Sequence, residues 1–448
     1  MTSMIRTVRS AAMALGLTLV AGGVQAQEAR VCPDGLPAET RCLSGQDANG
    51  AWYWIAIPKA WNGSLVLHTH GGPRLRTPKP DDAIEDLQRF SVVVTEGFAW
   101  AGSNYRRAGF GARSAAEDSD NLRKIFWEKF GRPKRTLLHG QSWGANVAAR
   151  TAELYGKGAD GKPVYDGVIL TNGVLAGGTR SYDFRADLRA VYQYYCGNHP
   201  AAGEPAYPLW QGLPVNSTLK SKDLDERLNA CTGLSKPAAE RTPQQARALK
   251  NILAVTRIPE RTLDSHLSWA TFTFADIVNL RLGGKNPFSN KGVRYVGSDD
   301  DAALNRDVPR FAADPEGVRR LAEDSDLSGK LIVPTLTMHA IGDPTAFVEL
   351  EHAFLDTVAQ AGASNLLVQA FTDENEHSKL ATPQYAALLR AMTAWIEEGA
   401  KPSPASLDTV CATAAASYGE DCHFTVDYYP PPLSTRSYAR QKPGLGRR

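Results

Sequence analysis

Gly140-Gln141-Ser142-Trp143-Gly144 lies between the apolar run TLLH and the small-residue segment ANVAARTAEL. A serine on a sharp strand-to-helix turn presents its hydroxyl as a nucleophile, and a glycine two residues to either side lets backbone pass close to backbone. A buried turn serine would explain the glycines but not the strand before and the helix after. Acyl transfer from Ser142 needs three more parts: donors for an oxyanion, a general base, and an acid that orients the base. His70-Gly71-Gly72 follows the apolar run LVLHT, so the amides of Gly71 and Gly72, with that of Trp143, are candidate oxyanion donors. The candidate base is His377 in TDENEHSKL, six residues past NLLVQAF. The candidate acid is Asp343 in HAIGDP, just beyond LIVPTLTMHA. Asp373, Glu374 and Glu376 are nearer to His377 in sequence, but each reads equally well as a solvated carboxylate.

These groups must be carried by elements that meet in space. AWYWIAIP and LVLHTH, separated by the turn WNGS, predict two strands. Asp81 or Asp82 is placed to cap a helix through Ile84, Leu87 and Phe90, and SVVV after it favours a strand by propensity. GFAWAGSNY predicts a buried strand, 118–130 a helix with Leu122, Ile125, Phe126 and Phe130 on one face, and Gly131 its stop. Strand TLLHG, a helix over 144–155 and strand GVILTNGVL repeat the order. Alternating strands and helices imply an α/β fold, a mostly parallel sheet with helices on both faces.

The rhythm breaks after Gly178 and resumes with LIVPTLTMHA, a helix over 347–361, strand NLLVQAF and a helix over 383–398. One core, 27–178 and 329–400, interrupted by a mainly helical cap over 179–328, accounts for this pattern. Residues 27–50 read as a stapled N-terminal segment rather than a separate domain, and 401–448 as an extended, Pro-rich tail.

Arg6 and Arg9, the apolar run AAMALGLTLVAGG and Val24-Gln25-Ala26 predict a cleaved signal peptide over 1–26. The run is short of the ~20 apolar residues that span a bilayer. Export, periplasmic or extracellular, follows, with no membrane attachment after cleavage. The whole chain has 50 basic and 48 acidic residues; the leader takes two Arg and no acid, leaving a balance that offers nucleic acid no basic patch. The six cysteines form three sequence-local couples, Cys32 with Cys42, Cys196 with Cys231 and Cys411 with Cys422, as disulfides in an exported chain. Metal binding is the rival, without a C-x-x-C pair to support it.

HGG at 70–72, GQSWG at 140–144, Asp343 after a penultimate strand and His377 after the last together resemble the α/β-hydrolase superfamily. The Trp after the nucleophile is similar to the elbow of the prolyl-aminopeptidase branch. The resemblance spans about 51–178 and 329–400, with the insertion where such hydrolases carry a cap. It implies a serine hydrolase with Ser142, His377 and Asp343 as triad, no metal or organic cofactor, and a small-molecule or oligomeric ester as substrate.

Three rivals stand beside it. An exopeptidase or amidase would use cap acids such as Asp223, Asp225, Glu226 and 299–301 for a terminal ammonium. A metallohydrolase would use His68 and His70, alternate residues on one strand. A non-catalytic exported binding protein would keep the fold alone. Tyr192, Trp269, Phe272 and Phe274, with His70, either line a substrate pocket or, for the cap aromatics, form the cap's own small core.

Overall fold

The computed structural model describes residues 28–440 together with Lys442 and Pro443; the signal peptide expected over 1–26 lies outside the described residues. Nine strands form one sheet: β1 (Glu28–Arg30), β2 (Arg41–Gln46), β3 (Trp52–Ile57), β4 (Ser64–Thr69), β5 (Ala99–Ser103), β6 (Arg135–Gln141), β7 (Gly167–Thr171), β8 (Thr335–Ala340) and β9 (Leu367–Thr372). Their order is β1-β2-β3-β5-β4-β6-β7-β8-β9. The first three pairings are antiparallel and the rest parallel. Strand alternation divides the side chains between two cores. Val66, Leu137, Ile169 and Leu336 face one side, while Leu65, Leu67, Leu138, Val168 and Leu170 face the other. Because both faces are covered, the central strands are apolar runs rather than alternating ones.

Helices α1 (Ile84–Arg89) and α2 (Val92–Thr95) connect β4 to β5, α3 (Ala112–Phe130) connects β5 to β6, and α4 (Trp143–Tyr155) connects β6 to β7. Between β7 and β8 the chain carries α5 (Gly178–Ser181), α6 (Asp183–Cys196), α7 (Ser221–Thr232), α8 (Pro243–Thr256), α9 (Leu263–Ser268), α10 (Asp301–Asp307) and α11 (Pro315–Ser325). π-helical turns at Trp269–Thr273 and Asp276–Arg281 prolong α9. Helix α12 (Glu349–Gln360) joins β8 to β9, and α13 (Thr382–Glu398) and α14 (Pro404–Tyr418) follow. Phe90, Leu389, Trp395 and Leu407 pack on the first face of the sheet, and Leu122, Phe126, Ala148 and Phe354 on the second. This is the α/β-hydrolase fold, with a helical insertion after β7.

Three local expectations need correction. SVVV is the short helix α2, not a strand: Val92, Val93 and Val94 are buried against the first core, and tertiary packing overrides β propensity. Asp82 does not cap α1; its carboxylate instead accepts from Lys79 N and Arg76. The N-terminal segment supplies β1 and β2 at the edge of the sheet. The tail is not extended throughout, since 404–418 is helix α14, started by Pro404 and a Ser403–Ser406 capping box and ended by Gly419 in the left-handed region.

The three disulfides pair Cys32 with Cys42, Cys196 with Cys231, and Cys411 with Cys422, as sequence proximity suggested. Among the described residues no helix is long and apolar enough to cross a membrane.

Candidate active site

Ser142 connects the last residue of β6 to the first of α4 with φ 60° and ψ −128°, a conformation that an L residue adopts at a cost of about 1–3 kcal/mol. The turn is held from both sides. Ser142 N donates to Thr171 O at 3.0 Å, and Ser142 O accepts from Ala145 N at 3.1 Å and Val174 N at 3.0 Å. Both flanking glycines are required by contact: a Cβ on Gly140 would lie 2.3 Å from Gly144 O, and one on Gly144 2.2 Å from Thr69 O. The crossing of β4, β6 and α4 therefore leaves no room for a methyl group, and it lifts the Ser142 hydroxyl clear of the sheet end.

His377 Nε2 lies 2.8 Å from Ser142 Oγ, and His377 Nδ1 lies 2.7 Å from Asp343 Oδ2. An ionised carboxylate only accepts, so Nδ1 carries the proton and the lone pair on Nε2 accepts from the serine hydroxyl. Asp343 Oδ1 is occupied by Thr345 N at 2.8 Å and Ala346 N at 3.0 Å, which leaves Oδ2 for the imidazole. The three carboxylates nearer in sequence are engaged elsewhere or turned away. Glu374 accepts from Ala381 N and Gln384, Glu376 faces Arg261 at 3.7 Å, and Asp373 is exposed.

Two supports escaped the sequence reading. Asn172, at the end of β7, donates from Nδ2 to His377 O at 2.6 Å and accepts Ala340 N at 2.8 Å. Gln141 donates from Nε2 to His377 O at 2.5 Å and Ser378 Oγ at 3.0 Å. The signal available was position: both lie at the carboxyl ends of parallel strands, where site residues of such sheets gather. Beneath Asp343, buried His339 donates to Ala346 O at 2.7 Å and Glu351 at 3.1 Å. Burial opposes its charge, but the Glu351 carboxylate prevails and raises its pKa above the ordinary histidine value.

The His-Gly-Gly loop passes directly against the nucleophile: a Cβ on Gly71 would meet Gln141 O at 3.0 Å and Ser142 Cβ at 3.3 Å. Gly72 has φ +68°, the left-handed region that favours glycine. Trp143 is the first residue of α4, so its N–H has no acceptor within the helix and adds the positive end of the dipole. His70 stacks on Tyr105 at 4.3 Å and donates from Nδ1 to Gly71 O at 2.8 Å. Burial above all pulls its pKa down to about 4, so it is a neutral prop for the loop at pH 7.

His68 is committed elsewhere. It stacks on Trp100, lies 3.0 Å from His139 Nδ1 and 3.5 Å from Asp86, and is buried in the core. Among the described residues no group of three or more His, Cys, Asp or Glu could hold a metal ion.

The insertion grips the loops that bear the triad. Thr262 Oγ1 and His266 Nε2 donate to Pro344 O at 3.2 and 2.9 Å, and Arg261 donates to Asn375 O. Of the aromatics expected to line a pocket, Tyr192 and Phe274 do not: both have 0% exposure, Tyr192 in a cluster drawn mostly from the insertion and Phe274 in one shared with Phe110 and Trp143 of the core, stacked on Phe288. Phe272 is half-buried against the Tyr192 cluster, and half-buried Trp269 packs on Tyr182 at 4.2 Å. The acids weighed as an ammonium site serve local structure. Asp223 and Asp300 cap α7 and α10, Asp299 pairs with Arg247, Asp301 holds Ser298 and Glu226 faces Lys222; Asp225 is exposed.

No protein-family model matches the chain, and neither does any curated protein. Solved structures that it resembles include an esterase from Aspergillus oryzae at 14% identity, covering 81% of each chain with TM-score 0.42. The rice cell wall degrading esterase LipA from Xanthomonas oryzae is 13% identical over 84% of this chain and 96% of that one, with TM-score 0.40. Feruloyl esterase B from Aspergillus oryzae is 12% identical over 85% and 88%, with TM-score 0.39. At these values none of them assigns a substrate to this chain.

Proposed function

We propose that this protein is an exported serine hydrolase that cleaves carboxylic esters through an acyl-enzyme on Ser142, with the helical insertion acting as a cap that selects the substrate. The observation that carries the reading is the continuous Ser142–His377–Asp343 hydrogen-bonded line, with its 2.8 and 2.7 Å steps, on a strained elbow. Ser142 Oγ adds to the ester carbonyl while its proton passes to His377 Nε2. Asp343 stabilises the resulting imidazolium through Nδ1. The carbonyl oxygen, now negative, takes hydrogen bonds from Trp143 N–H and the Gly71 or Gly72 amide, each typically contributing about 2.7–4 kcal/mol to the transition state. Collapse breaks the C–O bond, and Nε2–H protonates the leaving alkoxide. Water then adds to the acyl-enzyme with His377 as base, releasing the acid and restoring Ser142. Every proton removed is returned, and no step calls on a cofactor.

Ester is favoured over peptide because, of the cap acids that would receive a substrate ammonium, all but exposed Asp225 are engaged in helix caps, ion pairs or local hydrogen bonds. Export draws support from the three disulfides and the leader pattern. The test is turnover of p-nitrophenyl esters and aminoacyl anilides by the mature protein beside Ser142→Ala, with and without chelator. Ester turnover insensitive to chelator, and lost by a factor on the order of 10⁴ or more in the variant, is expected. Equal turnover by both proteins would sink the proposal, and activity on anilides alone would move it to the amidase reading.

A further inference from the structure

Among the described residues four arginines are buried as whole residues, Arg123, Arg150, Arg185 and Arg189. Three of them find acceptors for their charged heads. Arg123 meets Asp120, Arg150 meets Glu153 and Glu323 O, and Arg189 gives both Nη groups to His199 O. Arg185 is different, for only its Nε–H is bonded, to His266 Nδ1 at 3.2 Å. His266 donates its own Nε2–H to Pro344 O, which leaves Nδ1 as a lone pair, and burial first and Arg185 second keep that ring neutral. The acids on the same helix are taken, Asp183 by Lys442 and Asp187 by Arg440. What surrounds the guanidinium is aromatic: Trp269 at 4.4 Å, Phe184 at 4.8 Å and Tyr182 at 5.4 Å. Among the described residues its two Nη atoms therefore have no acceptor, and neither belongs to the unpaired atoms sealed from solvent, although the residue is only 6% exposed.

Two chains of contacts link this open fork to residues next to the proposed triad. On one side, Arg185 bonds His266, and His266 bonds the carbonyl of Pro344, the residue after Asp343. On the other side, a run of ring contacts leads from Trp269 to Tyr182, Phe110 and Trp143, the residue after Ser142. Two free Nη groups present one planar, two-pronged donor edge in a low-dielectric aromatic frame, which matches a carboxylate bound through both oxygens. Without an anion the site leaves a desolvated charge uncompensated, and binding one relieves that cost.

We propose that Arg185 is the anchor for a carboxylate of the substrate, so that the ester cleaved at Ser142 carries a free acid group. The proposal rests on the hydrolase reading for what it says of turnover, but the anion site can be read separately by binding.

The test compares matched substrates: mono-p-nitrophenyl glutarate against its neutral amide isostere on the acyl side, and 4-acetoxybenzoate against 4-acetoxybenzamide and 4-acetoxyphenyl phosphate on the alcohol side. We expect kcat/KM to favour the carboxylate on one of the two sides by roughly ten- to a hundredfold, the factor that a charge-assisted hydrogen-bonded contact typically supplies. In Arg185→Met that ratio should fall towards one, and in Arg185→Lys, which keeps charge but not the fork, to an intermediate value. Should the Met variant fail to fold, the Lys variant carries the same comparison. A wild-type ratio near one on both sides, an unchanged ratio in the folded variants, or a larger preference for the phosphate ester overturns the assignment. Calorimetric titration of glutarate into the Ser142→Ala protein separates the two readings. Binding that weakens at least tenfold on adding Arg185→Met supports the anchor even if no ester is turned over, and binding that ignores the second substitution counts against it.

Discussion

Asn172 Nδ2 donates to the carbonyl of His377 at 2.6 Å while Asn172 Oδ1 accepts from Ala340 N at 2.8 Å, so one side chain ties the histidine loop to the end of β8. Its backbone sits at φ 43°, a conformation that Asn tolerates better than most residues. Asn172→Gly keeps that backbone freedom and removes the tether, whereas Asn172→Ala removes the tether and adds strain. Both should lower kcat by about tenfold to a hundredfold through a misplaced imidazole, with Ala melting below Gly. Steady-state kinetics beside thermal unfolding checks this, and a Gly variant with wild-type kcat would show that the tether is dispensable.

Gly144 and Gly72 should respond differently to alanine. A methyl group on Gly144 meets the carbonyls of Thr69 at 2.2 Å and His70 at 2.6 Å, and neither strand end can retreat. Gly144→Ala is expected to cost more than about 3 kcal/mol and to abolish labelling of Ser142 by a serine-directed phosphonate. Gly72 has open space around its Cβ position, and only φ +68° opposes a side chain. Gly72→Ala should therefore cost about 1 kcal/mol and leave a labelled, slower protein. Urea unfolding with phosphonate labelling measures both.

Asp118 gives a pH signature. Burial lifts its pKa to about 7 despite the hydrogen bond from Arg106 N at 2.8 Å and the Arg106 guanidinium, whose Nε lies 3.4 Å from Asp118 Oδ1 without a hydrogen bond. The folded state thus holds the proton that the unfolded chain releases near pH 4, so stability falls as pH rises from about 4 to about 7. Above pH 7 the cost is complete, on the order of 2–4 kcal/mol. Asp118→Asn should remove that part of the slope. Unfolding free energies of both proteins at pH 4.5 and 8 test it; a difference between them that does not change with pH contradicts the assignment.

The end of the chain should hold the cap. Arg440 and Lys442 reach Asp187 and Asp183 on α6 at 2.5 Å, in buried pairs. Arg440→Met leaves Asp187 with only the Tyr295 hydroxyl at 2.7 Å and is expected to cost about 3–5 kcal/mol, because a buried carboxylate loses its counter-charge. Limited proteolysis should then cut first within the cap. Cleavage sites identical to those of the wild type would argue that the tail only rests on its surface.

Much of the core was readable because its signals are local. The run TLLHGQSWGANVAARTAEL contains a strand, a turn that only small residues permit and a helix, and the structure returns them as β6, Ser142 and α4. The three cysteine couples were equally readable, since separations of 10, 35 and 11 residues make each the nearest available pairing. Where propensity alone spoke, it misled. SVVV has the residues of a strand, yet the fold buries it as one helical turn, and the tail helix α14 was hidden by a composition rich in Ala, Ser and Thr with no apolar stripe.

The side chains that the structure adds to the site share one property: their partners are distant in sequence. Asn172 meets a carbonyl 205 residues away and His266 one 78 residues away, and Tyr192 and Phe274 are core because of neighbours from other segments. By itself the sequence determined the fold class and the strand-turn-helix at Ser142, and it singled out Ser142, Asp343 and His377 as candidates, because those follow from residue type, spacing and order along strands. Only the tertiary structure decided that His377 lies 2.8 Å from Ser142 rather than loose in its loop, and that Arg185 meets no carboxylate among the described residues. Contact across the fold is a matter of three-dimensional closure, and no periodicity along the chain encodes which charge will be left unpaired when the helices close around it.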